Sequence, residues 1–239
     1  MVTKNQIKLV VSLKQKKYRS QHRLFVVEGE KVVKELSLSG LRTYGVYVDR
    51  EEYLKKFEGA VLVSTKELKQ MSSLTHPNGV LGVFYIEERD NAENPDWTVV
   101  LDAVRDPGNL GTIIRICDWF GISKLVCSPD TVDCYNPKVL QATMGSIARV
   151  SISYLDLNVY LGNCKKPIYG AYMDGTSVYQ SNLGEEGILV MGNEANGISE
   201  QISEFITERI SIPQFGKITT ESLNVATATA ILLNEIRRG

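Results

Sequence analysis

Histidine, cysteine and tryptophan are scarce in this chain of 239 residues, which holds two, four and two of them. The two histidines, His22 and His76, lie far apart, and Cys117, Cys127, Cys134 and Cys164 form no C-x-x-C pair. A metal site is therefore not expected. Four thiols in a chain this long fit a reducing compartment better than a disulfide framework, and read as small buried hydrophobes. So little histidine leaves Ser-His or Cys-His catalysis almost without candidates. No apolar run approaches the ~18 residues of a membrane helix. The opening Met1-Val2-Thr3-Lys4-Asn5-Gln6 lacks the apolar stretch of a signal peptide. The expectation is a cytoplasmic protein with no membrane partner. Hydrophobic content of 43% and charged content of 23% are those of a globular protein, which disfavours disorder and coiled coil.

The formal charge of −1 conceals an asymmetry. Residues 1–90 carry 16 Lys and Arg against 11 Asp and Glu, whereas 91–239 carry 11 against 17. Lys14, Lys16, Lys17, Arg19 and Arg23 cluster near the start, where they form either a solvated helix face or a contact for a polyanion. A polar, aperiodic stretch ending in Asn94-Pro95 marks a linker at 91–96. It divides a small α/β domain, 1–90, from a second domain, 97–239.

In the first domain a helix is expected near 3–16. Strands follow at Leu24–Val27, Tyr44–Val48, Ala60–Val63 and Val80–Ile86, with helices near 29–38, 51–57 and 65–72. In the second, short apolar runs at Thr98–Leu101, Lys124–Cys127, Pro167–Ala171 and Ile188–Met191 alternate with helical patterns. That is the signature of a parallel sheet covered by helices. A closing helix places Leu223, Ala226, Ala230 and Leu233 at helical spacing.

Three loops of the second domain carry turn residues just after, or just beside, apolar runs: Asp106-Pro107-Gly108-Asn109, Gly192-Asn193-Glu194-Ala195-Asn196-Gly197, and Ile212-Pro213 through Ser222-Leu223-Asn224. The carboxyl edge of a parallel sheet is where α/β proteins bind ligands. Neither a G-x-G-x-x-G fingerprint nor a P-loop is present, which counts against a nucleotide-dependent oxidoreductase or an NTPase.

These segments resemble, in order, the three motifs of the SpoU/TrmH group of SPOUT RNA ribose 2′-O-methyltransferases. Asn109 and Arg115 match the first, Gly192, Asn193, Glu194 and Gly197 the second, and Ile212-Pro213 with Ser222-Leu223-Asn224-Val225 the third. Lys17-Tyr18-Arg19 through Phe25-Val26-Val27-Glu28-Gly29 is similar to the ribosomal-protein-like RNA-binding domain often fused in front. Two features depart from the pattern: extra residues around Thr219, Thr220 and Glu221, and Asn78-Gly79 in place of Gln-Gly.

The resemblance implies a SPOUT-type α/β fold with a C-terminal trefoil knot, S-adenosylmethionine as methyl donor, and a homodimer. It implies catalytic roles for Arg115, Asn109, Glu194, Ser222 and Asn224. It assigns cofactor contacts to Met191, Gly192, Asn193, Ile212 and Leu223, and RNA contacts to Lys14, Lys17, Arg19 and Arg23. Arg115 is read as an orienter and charge stabiliser, because a charged guanidinium has no acceptor atom for a hydroxyl proton. Glu194, Ser222 and Asn224 are expected to fix Arg115 and the loops by hydrogen bonds. Ribosomal RNA is the first choice of substrate and transfer RNA the alternative. A catalytically silent RNA-binding relative is the rival from another class.

Overall fold

The computed structural model describes residues 2–87, 95–216 and 222–238. In chain order the elements run α1 (Lys4–Ser12), α2 (Lys16–His22), β1 (Leu24–Glu28), α3 (Glu30–Leu38), β2 (Thr43–Val48), α4 (Glu51–Leu54), β3 (Val61–Leu62), α5 (Thr65–Met71) and β4 (Val80–Tyr85). There follow β5 (Trp97–Leu101), α6 (Pro107–Trp119), β6 (Lys124–Cys127), α7 (Pro137–Thr143), β7 (Ser151–Tyr154), α8 (Leu157–Gly162), β8 (Ile168–Ser177), β9 (Gly187–Met191), α9 (Glu200–Ser203), β10 (Glu208–Ser211) and α10 (Val225–Ile236).

The chain forms two compact units. One comprises Met1–Arg89 with Tyr135–Ala148, the other Asp90–Cys134 with Arg149–Gly239. Helix α7 and its flanks, which lie within the expected second domain, belong to the first of these units. Phe25 of β1 explains part of this, since its ring lies 4.9 Å from that of Tyr135. The expected linker falls mainly on residues outside the described ones, and so do Thr219, Thr220 and Glu221.

The first unit holds a four-stranded sheet of order β1-β4-β2-β3, in which β4 runs antiparallel to both neighbours. Val10, Leu13, Leu24, Tyr47, Leu68, Met71, Leu81 and Val83 bury one face of it. The single helix expected over 3–16 is two. Helix α1 opens with a capping box between Thr3 and Gln6, and ends at Ser12. Arg19 is 4% exposed, and its guanidinium donates to the carbonyls of Leu13 and Lys14 at 2.9 Å each. The carbonyls released where α1 stops are met from inside the fold. Gly79, beside the unusual Asn78, has φ of 81°, and a Cβ there would lie 2.9 Å from Arg50 and Tyr53.

The second unit is a six-stranded sheet of order β10-β8-β9-β5-β6-β7 whose ladders are all parallel. Its inner strands β5 and β9 are buried throughout, as their unbroken apolar runs require. The edge strands β7 and β10 read Ser-Ile-Ser-Tyr and Glu-Arg-Ile-Ser, too polar to stand out in the sequence. Helices α6 and α10 pack together. Arg237, just past α10, donates to the carbonyl of Phe120 at 2.9 Å and pairs with Asp96 ahead of β5. None of the four cysteines is in a disulfide, and burial pushes the thiols of Cys117 and Cys127 far above the usual range.

The rings of Trp97 in β5 and Tyr169 in β8 lie 5.3 Å apart, tilted by 34°, beside Gly187 of the intervening β9. A Cβ on Gly187 would lie 2.8 Å from the Trp97 ring and 3.0 Å from Tyr169. Overpacking of this kind costs about 1–3 kcal/mol. Gly187→Ala is expected to lower the thermal midpoint by roughly 2–10 °C, read by circular dichroism. An unchanged midpoint would mean that this layer yields freely.

Candidate active site

The three glycine-bearing loops meet within the second unit, two of them at the carboxyl ends of the adjacent strands β5 and β9. After β5 the chain turns at Ala103, whose φ is 56° and whose N–H donates to Ser128 Oγ at 2.9 Å. Asp106 then caps α6, accepting the N–H of Asn109 at 2.8 Å, and Pro107 occupies the first turn, where a missing N–H does no harm. This cap sets the direction of Asn109 and places Arg115 further along the helix.

After β9 the loop closes on itself. Asn193 and Gly197 exchange backbone hydrogen bonds at 2.9 Å, and the Asn193 side-chain oxygen accepts the N–H groups of Ala195 and Asn196. Its side-chain nitrogen reaches across to the Ala103 carbonyl at 2.7 Å, linking the β9 loop to the β5 loop. A Cβ on Gly192 would sit 2.1 Å from the carbonyl carbon of Gly197. Gly192 is thus glycine because the loop folds back over it. Buried Asp102 supports the far side, its carboxylate accepting the Ser199 N–H at 2.8 Å.

The third loop ends at Asn224, which caps α10 through its side-chain oxygen to Ala226 and Thr227. Its side-chain nitrogen donates to Asn109 Oδ1 at 2.8 Å, and Asn109 Nδ2 donates to Glu194 Oε1 at 3.0 Å. Glu194 also accepts the N–H of Asp106 at 3.3 Å. The chain Asn224–Asn109–Glu194 therefore crosses all three loops. Partial burial raises the Glu194 carboxyl, but hydrogen bonds from Asn109 and from backbone N–H groups outweigh this and leave it below the usual range.

The structure thus gathers Asn109, Asn193, Glu194 and Asn224. Met191 and Gly192 are buried at the end of β9, Ile212 is half-buried after β10, and Leu223 is 47% exposed. Arg115 and Ser222 are exposed, and their side chains make no hydrogen bond among the described residues. The expectation that Glu194, Ser222 and Asn224 fix Arg115 is corrected: the bonds of Glu194 and Asn224 hold loops to one another. Arg19 likewise is no open phosphate contact, because its guanidinium is committed to the corner between α1 and α2. Sequence reading missed Asp102 and Asp106. The Asp-Pro pair ahead of an apolar periodic run was the available signal for Asp106, whereas nothing local marks Asp102.

An adenosine-bearing donor needs backbone groups for the base edge and uncovered apolar surface for its face. Backbone at the ends of β9 and β10, half-buried Ile212 and exposed Leu223 and Phe215 meet both needs.

Residues 96–234 match the SpoU rRNA Methylase family, and residues 4–82 match the MRM3-like substrate binding domain. The chain is 30% identical to the 23S rRNA (guanosine(2553)-2′-O)-methyltransferase RlmP of Bacillus subtilis over 230 residues, which covers 93% of this chain and 92% of the relative. Among solved structures, a putative RNA methyltransferase of the TrmH family from Porphyromonas gingivalis superimposes with a TM-score of 0.91 at 37% identity, covering 100% of this chain and 99% of the other. The AdoMet-bound rRNA methyltransferase from Sinorhizobium meliloti superimposes at 0.86 and 28% identity, covering 100% and 96%.

Replacing Glu194 by Gln tests the loop junction through pH. A carboxyl held below its usual range adds stability above its unfolded value of about 4.3, and loses it as pH falls through the lower folded value. Wild type should melt above Glu194→Gln by a constant margin from about pH 7 to 5, and the margin should close below about pH 4. A margin unchanged down to about pH 3 would show that the charge contributes nothing.

Proposed function

The chain belongs to the SpoU rRNA methylase family, and on that premise we propose that its three-loop site moves a methyl group from S-adenosylmethionine to a ribose 2′-hydroxyl of large-subunit ribosomal RNA. One observation carries the reading: Asn224, Asn109 and Glu194 join all three motif loops in one hydrogen-bond chain. Methylation mapping of ribosomal RNA from a knockout and its parent tests it. One ribose methyl missing from the large-subunit RNA is expected. A loss confined to transfer RNA would redirect the substrate, and no loss would defeat the activity.

When bound, S-adenosylmethionine supplies an electrophilic methyl on a sulfonium. The backbone at Met191, Gly192 and Asn193, with Ile212 and Leu223, would hold it. The other task of the protein is to align a weak nucleophile, and positioning of that kind supplies roughly 7–11 kcal/mol. Asn109 and Glu194 hold the β5 and β9 loops at a set spacing, and Asn224 fixes the start of α10 against them. Arg115 stands exposed two turns into α6 without an ion pair among the described residues. It serves as the cation that orients RNA phosphate and stabilises the developing alkoxide. Lys17 and Arg23, both exposed, add phosphate contacts from the first unit, and so does Lys14 through the ammonium hydrogens left beyond the one it donates to the Ser72 carbonyl at 2.6 Å. The trefoil knot and the cytoplasmic location belong to the same reading. The described residues include no helix long and apolar enough to cross a membrane.

Arg115→Ala should lower the methyl-transfer rate by at least about 100-fold, the scale of losing one electrostatic stabiliser. Calorimetric binding of S-adenosylmethionine should stay near wild type. Normal transfer by the variant would remove Arg115 from catalysis.

The homodimer, expected partly on the stripe of the closing helix, is proposed instead on the open side of α6. Ala226 and Leu233 of the expected stripe are buried within the unit itself, whereas Trp119 is 84% exposed. Sedimentation at micromolar concentration should show twice 26.6 kDa for wild type and a shift toward 26.6 kDa for Trp119→Ala. A monomeric wild type that transfers methyl groups would refute the dimer.

A further inference from the structure

The sheet of the first unit carries an arginine held flat against a tyrosine. Arg42 immediately precedes β2, and its guanidinium carbon lies 3.6 Å from the centroid of the Tyr85 ring at the end of β4. The ring of Tyr44 meets Tyr85 edge-on, at 6.0 Å and 66°. Three side chains from two strands thus form one cation–aromatic assembly.

Its local cause is a slip in the ladder. Thr43 stands opposite Phe84 and Gly45 opposite Val83, so Tyr44 is an extra residue in β2. A bulge re-aims the side chain it carries. The backbone of Arg42 is pinned as well: its carbonyl accepts the Tyr85 N–H at 3.0 Å, and its N–H donates to Glu87 Oε1 at 3.3 Å. Arg23 is adjacent, its carbonyl accepting the Ile86 N–H at 2.8 Å.

Arg42 and Tyr44 are exposed, and the Arg42 guanidinium has no carboxylate partner among the described residues. Arg50 of the same unit offers a contrast. It too lies over a tyrosine, at 4.6 Å from Tyr53, but is paired with Asp49 and Glu52. A guanidinium plane held on one face by a ring, and in no ion pair among the described residues, has lost much of its rotamer freedom before anything binds. Its outer face suits another flat, electron-rich group.

We infer that Arg42, Tyr44 and Tyr85 form a stacking surface for an unpaired base of the substrate RNA, an inference that rests on the RNA-methylating reading above. Sequence-specific RNA recognition targets unstacked bases, which lie on aromatic rings or on arginine planes. Stacking carries the contact here, since the neighbouring Glu87 carboxylate disfavours a phosphate.

The test uses the full chain with a labelled single-stranded RNA of about 12 nucleotides and mixed sequence, and a duplex of the same length, followed by fluorescence anisotropy. Arg42→Ala and Tyr44→Ala should each weaken single-strand binding about 5- to 100-fold, the range that stacking one base covers. Arg42→Lys, which keeps charge but loses the plane, should fall with Arg42→Ala, and Tyr44→Trp should bind at least as well as wild type. The salt slope of Tyr44→Ala should match that of wild type, because no phosphate contact is lost. Melting temperature and S-adenosylmethionine affinity should not move in any variant.

Wild-type affinity in Arg42→Lys and Tyr44→Ala would overturn the surface. So would equal losses on duplex and single strand with a flattened salt slope, which would mark plain charge attraction. Variants that bind like wild type, in a protein that does methylate ribosomal RNA, defeat this surface alone. A wild type that transfers no methyl group defeats the functional reading itself.

Discussion

Everything at the site depends on the side-chain amide of Asn109. An amide is both donor and acceptor, and here one end accepts from Asn224 while the other donates to Glu194. An aspartate at this position could accept from Asn224 but would repel Glu194. An aliphatic residue would remove the acceptor of Asn224 Nδ2 and the side-chain donor to Glu194 Oε1. Both partners have second duties: Asn224 caps α10, and Glu194 receives the backbone of the β5 loop. A single hydrogen bond of this kind contributes only about 1 kcal/mol net. Its importance lies in joining three segments far apart in sequence, so that the motif loops share one geometry.

Much of this was legible in the sequence because it is local. Asp106-Pro107 and Asn224 announce helix starts, the apolar runs of β5, β6 and β9 announce buried parallel strands, and Gly192 and Gly197 announce a tight loop. What escaped depends on contacts between distant residues. Edge strands β7 and β10 owe their form to pairing rather than to a hydrophobic run. Arg19 reads as one more surface cation, yet it is buried because α1 ends at Ser12, four residues short of where periodicity would carry it. The same limit hid Asp102, whose role depends on Ser199, 97 residues away. Tyr135–Ala148 sides with the first unit, although nothing in its composition sets it apart from the second.

The two units divide the physical work. The second holds buried parallel strands and a site built from amides and a carboxylate, which suits a small donor and exact alignment. The first has the excess of positive charge and presents exposed arginine and tyrosine at its mixed sheet, which suits a large polyanion. Arg115 in the second unit and Arg42 in the first are exposed arginines outside the ion pairs among the described residues.

A double-mutant cycle on Asn109→Ala and Asn224→Ala, read through S-adenosylmethionine affinity and the rate of methyl transfer, tests the central claim most directly. If one hydrogen-bond chain sets the loop geometry, either single change breaks it and the second adds little. The coupling energy should then reach about 1 kcal/mol or more, within the range found for residues of one network. Effects that add within about 0.5 kcal/mol would show that the loops hold their positions independently, and would contradict the account.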